Sequence, residues 1–181
     1  MSEPVARNLA PNPKPLDQGL SYNQVKTHEI LDGWLRATGN DADTGWIMKC
    51  WQGIDLDTNG TTGYQNGVRL AAPGDYVVEI SVHTPAQVRL QLVLILVSDS
   101  GGRIGNPIDV TSDASGTRTM RADVTAQQPC WLTWVLRANA PTANAREWRL
   151  RRMTIVSKPD YERMRERGII WFDGDSIVRG D

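Results

Sequence analysis

The chain has 181 residues, with 20 Lys+Arg against 21 Asp+Glu for a formal charge of -1, and its 40% hydrophobic and 23% charged content is that of a core-forming globular protein. Wholesale disorder is excluded, and the near-neutral balance argues against a nucleic-acid coat, because nothing globally offsets a phosphate backbone. The longest strongly apolar stretch, Leu92 to Val97, is far short of the roughly 18 residues a membrane-spanning helix needs; no secretory leader is evident after Met1, and Cys50 and Cys130 are too few for a disulfide scaffold.

Residues 1–22 contain Pro4, Pro11, Pro13 and Pro15 and few apolar side chains. Each proline removes a backbone donor and fixes φ, so this segment is expected to be an extended arm rather than a helix or central strand. Val25 to Leu35 fits either a short helix or a strand. Gly45 to Trp51 reads as a strand ending near Gly53, and the stretch from Asp55 to Asn66 is polar and turn-rich.

From Gly67 onward a period of two dominates. Tyr76, Val78, Ile80 and Val82 fall on one face of a strand that Pro85 is expected to end. Val88 to Val97 alternates and then runs continuously apolar, the pattern of a strand covered on both faces. Ser98 to Gly116, rich in Ser, Asp and Gly, reads as a long loop. Thr117–Val124, Cys130–Arg137 and Glu147–Val156 complete the strands. Short strands at near-regular spacing predict an all-β fold, an antiparallel β-sandwich or jelly roll, over residues 23–157.

The pattern breaks at Ser157. A capping Ser157, Pro159 and Asp160 in the first turn and Gly168 at the stop predict a short helix, so residues 158–181 are expected to form a helix and a terminal docking segment. Residues 146–167 carry eight Lys+Arg against four Asp+Glu, a local basic surplus read as a solvated face or a dock for an acidic surface.

No constellation for catalysis assembles. Gly174-Asp175-Ser176 resembles the nucleophile block of GDSL-type esterases, but neither His28 nor His83 has an Asp three residues before it, and a lone Ser is a weak nucleophile. Asp55, Asp57 and Asn59 follow the first half of a calcium loop, whose twelfth position is Asn66 rather than Glu; a structural Ca2+ or a plain polar turn both fit, and no other cofactor is expected. The terminal Arg179-Gly180-Asp181 is a common tripeptide. Trp34, Trp46, Trp51 and Tyr64 offer flat faces that could stack on sugar rings or fill a core; Trp46 and Trp51, at odd spacing, point to opposite faces of their strand.

Three segments carry a family likeness. Asn8-Leu9-Ala10-Pro11-Asn12-Pro13, Pro73-Gly74-Asp75-Tyr76 with its following strand, and Trp171-Phe172-Asp173-Gly174-Asp175-Ser176 resemble, in order and spacing, the opening, second strand and closing element of minor tail proteins of actinobacteriophages. The resemblance implies a jelly roll like that of galactose-binding and carbohydrate-binding modules, and a non-enzymatic structural component of a phage virion, made in the host cytoplasm. It implies partners among other tail proteins and a homo-oligomer, by family habit a trimer. Asn8, Leu9, Pro11, Pro13, Trp171 and Phe172 would then serve assembly. Residues 14–50 depart from the family pattern. The alternatives are a carbohydrate-binding module contacting host glycans through Trp34, Trp46, Trp51 and Tyr64, and a head decoration protein.

Overall fold

The computed structural model describes residues 4–6, 8–10, 20–39, 48–54, 62–139, 146–169 and 178–179. The alternating segments become antiparallel strands: β1 (Pro4–Ala6), β2 (Ser21–Asn23), β3 (Val25–Leu31), β4 (Trp34–Gly39), β5 (Met48–Gln52), β6 (Val68–Leu70), β7 (Gly74–Val97), β8 (Arg103–Ala126), β9 (Cys130–Asn139), β10 (Glu147–Ser157) and β11 (Val178–Arg179), with one helix, α1 (Lys158–Glu166). The main path of pairing runs β2-β5-β9-β7-β10-β4-β3, with β6 added to β9 and β8 to β7.

One path makes two layers because β7 bends. Its first half pairs with β10 through Tyr76–His83, and its second half pairs with β9 through Arg89–Val97. β8 follows it throughout as an outer strand. The first sheet is therefore β3-β4-β10-β7-β8 and the second is β2-β5-β9-β7-β8, sharing one ribbon. Leu35, Ile80, Leu92, Met120, Trp134 and Leu150 fill the space between them. Each such side chain taken out of water contributes roughly 1.5–3 kcal/mol before entropy is counted.

The bend corrects two expectations. Pro85 does not end a strand: Pro85, Ala86 and Gln87 bulge out opposite the single residue Ser115, and pairing resumes at Val88. A bulge is where a strand tolerates proline. The segment from Ser98 to Gly116 is not a long loop; only residues 98–102 turn, and β8 begins at Arg103. Inside the corner, the Arg118 guanidinium donates to Ser112 Oγ (2.6 Å), Thr84 Oγ1 (2.8 Å) and the Gly116 carbonyl (3.1 Å). Its Nη2 also donates to the Val88 carbonyl at 3.4 Å, so one side chain ties hydroxyl and carbonyl oxygens on both sides of the bulge.

The opposite side closes at Gln24, whose φ of 55° turns the chain from β2 in the second sheet to β3 in the first. The Val25–Leu35 segment is strand, not helix: β3 and β4 form a hairpin about Asp32 (φ 51°) and Gly33 (φ 75°), both left-handed as a tight two-residue turn requires.

The second sheet is apolar on its outer face too. Val93, Ile95, Val97 and Val135 pack there with Ile54, Trp51, Tyr64 and Trp131. The chain comes close at Gly53 (φ 88°), where an added Cβ would lie 2.3 Å from Thr133 Cγ2. This double cover accounts for the continuous apolar run in β7. Cys50 and Cys130 are buried free thiols.

The helix forms as its signals predict. Ser157 Oγ accepts from the Asp160 N–H at 3.3 Å, and Gly168 (φ 68°) follows the last turn. Tyr161 and Met164 cover Val77 and Val156 on the outer face of the first sheet. The N-terminal residues 8–10 lie along β10 beyond the end of β4. Asn8 is buried, its Nδ2 donating to the Met153 carbonyl (2.8 Å) and its Oδ1 accepting from the Ile155 N–H (2.9 Å). Leu9 N–H donates to the Ile155 carbonyl at 2.7 Å. β1 and β11 pair with each other as a separate two-stranded sheet.

Candidate functional site

The outer face of the first sheet carries the chemistry. In β4 the buried residues are Leu35 and Ala37, so Trp34, Arg36 and Thr38 point outward. In β10 the buried Trp148 and Leu150 leave Glu147, Arg149 and Arg151 outward, and the buried Ile80 and Val82 of β7 leave Ser81 and His83. Register aligns these side chains. One row reads Glu29, Arg36, Arg149, His83, Thr117; just past the last β4–β10 pair, Leu35 with Leu150, the stack of Arg151 on Trp34 links Leu31 and Trp34 to Arg151, Ser81 and Thr119 as the next. At the usual strand separation such a row is ~19 Å long.

Most of the charge in the first row is compensated. Arg36 donates to Glu29 Oε1 (2.9 Å) and Glu147 Oε2 (2.8 Å), and Arg149 Nε donates to Glu147 Oε1 (2.7 Å). Burial alone would raise the Glu147 carboxyl, but the Arg36 and Arg149 hydrogen bonds outweigh it and hold it below the ordinary range. The bond to Glu147, then that to Glu29, drives Arg36 still higher than a free guanidinium.

In the second row, the Arg151 guanidinium carbon sits 4.1 Å from the Trp34 ring centroid, and His83 meets the same ring edge-on at 6.0 Å. His83 Nδ1 shares a hydrogen bond with Thr117 Oγ1 at 3.0 Å. The platform is bounded at one end by α1, where Tyr161 donates to Glu79 Oε2 (2.7 Å) beneath the Arg121 guanidinium. A half-buried indole among planar hydrogen-bonding groups on an open sheet can hold a flat polar ligand by stacking and by directional bonds.

Of the four aromatics expected to face sugar, three are described, and of these Trp34 lies on this surface. Trp51 and Tyr64 are half-buried on the outer face of the other sheet. There Lys49 Nζ lies 5.7 Å from Trp51, and the Tyr64 hydroxyl donates to the Asp99 carbonyl at 2.7 Å. The Asp99 carboxylate also binds Arg69 through both oxygens and accepts from Trp131 Nε1 at 3.0 Å, which ties down the 98–102 turn. Trp46, the calcium candidates Asp55, Asp57 and Asn59, and Pro11, Pro13, Trp171 and Phe172 lie outside the described residues. Among the described residues, no cluster of three His, Cys, Asp or Glu side chains could hold a metal, and no helix is long and apolar enough to cross a membrane. Arg36, Glu147, Arg149, Arg151 and His83 were missed from sequence, although the every-second-residue charge in Glu147-Trp148-Arg149-Leu150-Arg151 was a usable signal.

This architecture has known counterparts. A CBM4 module is similar at a TM-score of 0.54 and 10% identity, over 78% of this chain and 96% of that one. The fold is that of the carbohydrate-binding-module jelly rolls. The CBM22-1–GH10 modules of Clostridium thermocellum xylanase 10B, complexed with xylohexaose, match at a TM-score of 0.51 and 11% identity, over 87% of this chain and only 28% of that one. A domain of bacteriophage CBA120 tailspike protein 4 is similar at a TM-score of 0.46 and 6% identity, too loose a likeness to carry an argument. No protein-family model and no curated protein matches the sequence.

Proposed function

We propose that this protein is a non-catalytic binding module that lays the outer face of its first sheet, around Trp34, against a glycan. The observation that carries the reading is the Trp34 indole, stacked on Arg151 of its own row, met edge-on by His83 of the adjacent row, and continued by the Ser81 and Thr119 hydroxyls. Aromatic stacking with lateral hydrogen bonding suits a sugar, which presents C–H faces and a rim of hydroxyls. The jelly-roll fold supports it, being one on which CBM4 and CBM22 modules are built. Against catalysis, His83 shares its hydrogen bond with Thr117, and no carboxylate among the described residues orients its other nitrogen.

Affinity electrophoresis of the full chain through gels holding soluble cell-wall polysaccharides tests the reading. Wild type should be retarded, and Trp34→Ala should migrate freely with an unchanged melting temperature. A wild-type chain that moves alike in every gel overturns it.

A second reading, compatible with the first, is favoured by the order of the 8–13, 73–82 and 171–176 segments. It makes the protein a subunit of a tailed-phage virion, a minor tail component made in the host cytoplasm, with the sandwich as a rigid spacer. Labelling purified particles with an antibody to this chain should mark the tail. Particles that lack the protein overturn that role, and label on the capsid reassigns it to head decoration.

A further inference from the structure

Resting on the glycan reading, we infer that the Trp34–Arg151 pair is a subsite for an acidic sugar, binding a carboxylate carried on the saccharide ring. The argument is one of unmatched charge. Among the described residues, the two rows carry three guanidinium groups, Arg36, Arg149 and Arg151, and two carboxylates, Glu29 and Glu147. Both carboxylates are committed to Arg36 and Arg149. Among the described residues Arg151 has no acceptor: its Nε is buried without a hydrogen-bond partner, and its guanidinium rests on the Trp34 ring.

The Arg151 charge has no carboxylate partner among the described residues, and an incoming oxyanion would supply one. Stacking against an indole leaves the edge N–H groups of a guanidinium free, and a carboxylate matches that fork with two parallel bonds. The Ser81 and Thr119 hydroxyls, in register with Arg151, lie where the same group or the neighbouring ring hydroxyls would be met. Burial and the charge of adjacent Arg152 already pull the Arg151 pKa down, as expected of a cation lacking its counter-ion.

The test uses one polymer in two charge states: polygalacturonate and its fully methyl-esterified form. Wild type should bind the acid form more tightly than the ester by a factor on the order of ten. Arg151→Gln should erase that preference, bringing the acid form down to the level of the ester in the same variant, while Arg151→Lys, which keeps the charge without the fork, should recover only part of it. Circular dichroism melts establish that each variant is folded; if Arg151→Gln does not fold, the Arg151→Lys comparison and the wild-type acid-to-ester ratio decide. Equal wild-type binding of the two forms, or a preference untouched by Arg151→Gln, overturns the acidic subsite while leaving the glycan reading standing. A preference for sulfated over carboxylated polymer in the same assay moves the subsite to a sulfate ligand and overturns the carboxylate assignment. No retardation by any polysaccharide, neutral or acidic, removes both.

Discussion

The imidazole of His28 lies flat on the Tyr22 ring, with centroids 4.2 Å apart and planes 8° from parallel. Tyr22 belongs to β2, the edge of the second sheet, and His28 to β3, the edge of the first. The stack therefore closes the side of the sandwich away from the β7–β8 ribbon, just beyond the Gln24 corner. Edge strands left open invite pairing with other chains; here a ring pair and a backbone corner seal the gap.

That closure is measurable. A double-mutant cycle on Tyr22→Ala and His28→Ala in urea denaturation should give a coupling of about 0.5–1.5 kcal/mol, the usual range for aromatic pairs beyond area burial. Strict additivity of the two single changes would mean the rings merely coincide.

The β7–β8 corner depends on Arg118 in a different way. Its four hydrogen bonds within the bend go to neutral oxygens, and burial lowers its pKa, opposed by Asp113. Replacing it with Met keeps much of the bulk and removes the donors, so Thr84 Oγ1, Ser112 Oγ and the Gly116 carbonyl lose partners. The expected loss is ~2–4 kcal/mol in stability with an unchanged denaturant slope. A change below about 0.5 kcal/mol would show that the bulge holds without it.

How much of this could be read in advance depends on where each element's information lies. Between Tyr76 and Val82 the period of two survives because one face meets the core and the other meets water. In β8 the inward positions before Met120 include Ser112, Ala114 and Gly116, small residues on an outer strand, so the alternation is muted and composition alone suggests a loop. Pro85 signals a strand end locally, yet the bulge that accommodates it is set by the pairing of two 24-residue strands. Asp32-Gly33 was a legible hairpin turn that went unread. The helix was fully local and so fully legible. Of the candidate site, Trp34 was visible as an aromatic. Its partners Arg151 and His83, 117 and 49 positions away, reach it only through the β4–β10–β7 register, which leaves no mark on any one segment.

The Glu147 hub predicts a pH dependence with a definite sign. Its folded-state pKa lies below the unfolded value, so the stability it contributes is full above the ordinary glutamate pKa of about 4.3 and is lost as pH falls through the lower folded value. Wild type should exceed Glu147→Gln by on the order of 1 kcal/mol at pH 7, a modest figure because both arginines remain partly hydrated. Melting curves of the two proteins should converge between pH 4 and pH 2, where the carboxylate is protonated. A gap that widens on acidification contradicts the assignment.

Two buried tryptophans separate volume from hydrogen bonding. Trp134 Nε1 donates to Gln52 Oε1 at 3.1 Å inside the core, whereas Trp148 is fully buried with an N–H that has no hydrogen-bond partner. Phenylalanine at either position removes a similar volume. At 134 it also strands the buried Gln52 oxygen, at a cost of about 1–3 kcal/mol, while at 148 it deletes a group that was already unsatisfied. Trp134→Phe should therefore destabilise more than Trp148→Phe by at least about 1 kcal/mol in denaturant unfolding. Pairing each change with Gln52→Leu sharpens the comparison: that second substitution should recover part of the loss at 134, where it removes the stranded oxygen, and simply add at 148. The reverse order of costs would place the decisive term in packing rather than in the hydrogen bond.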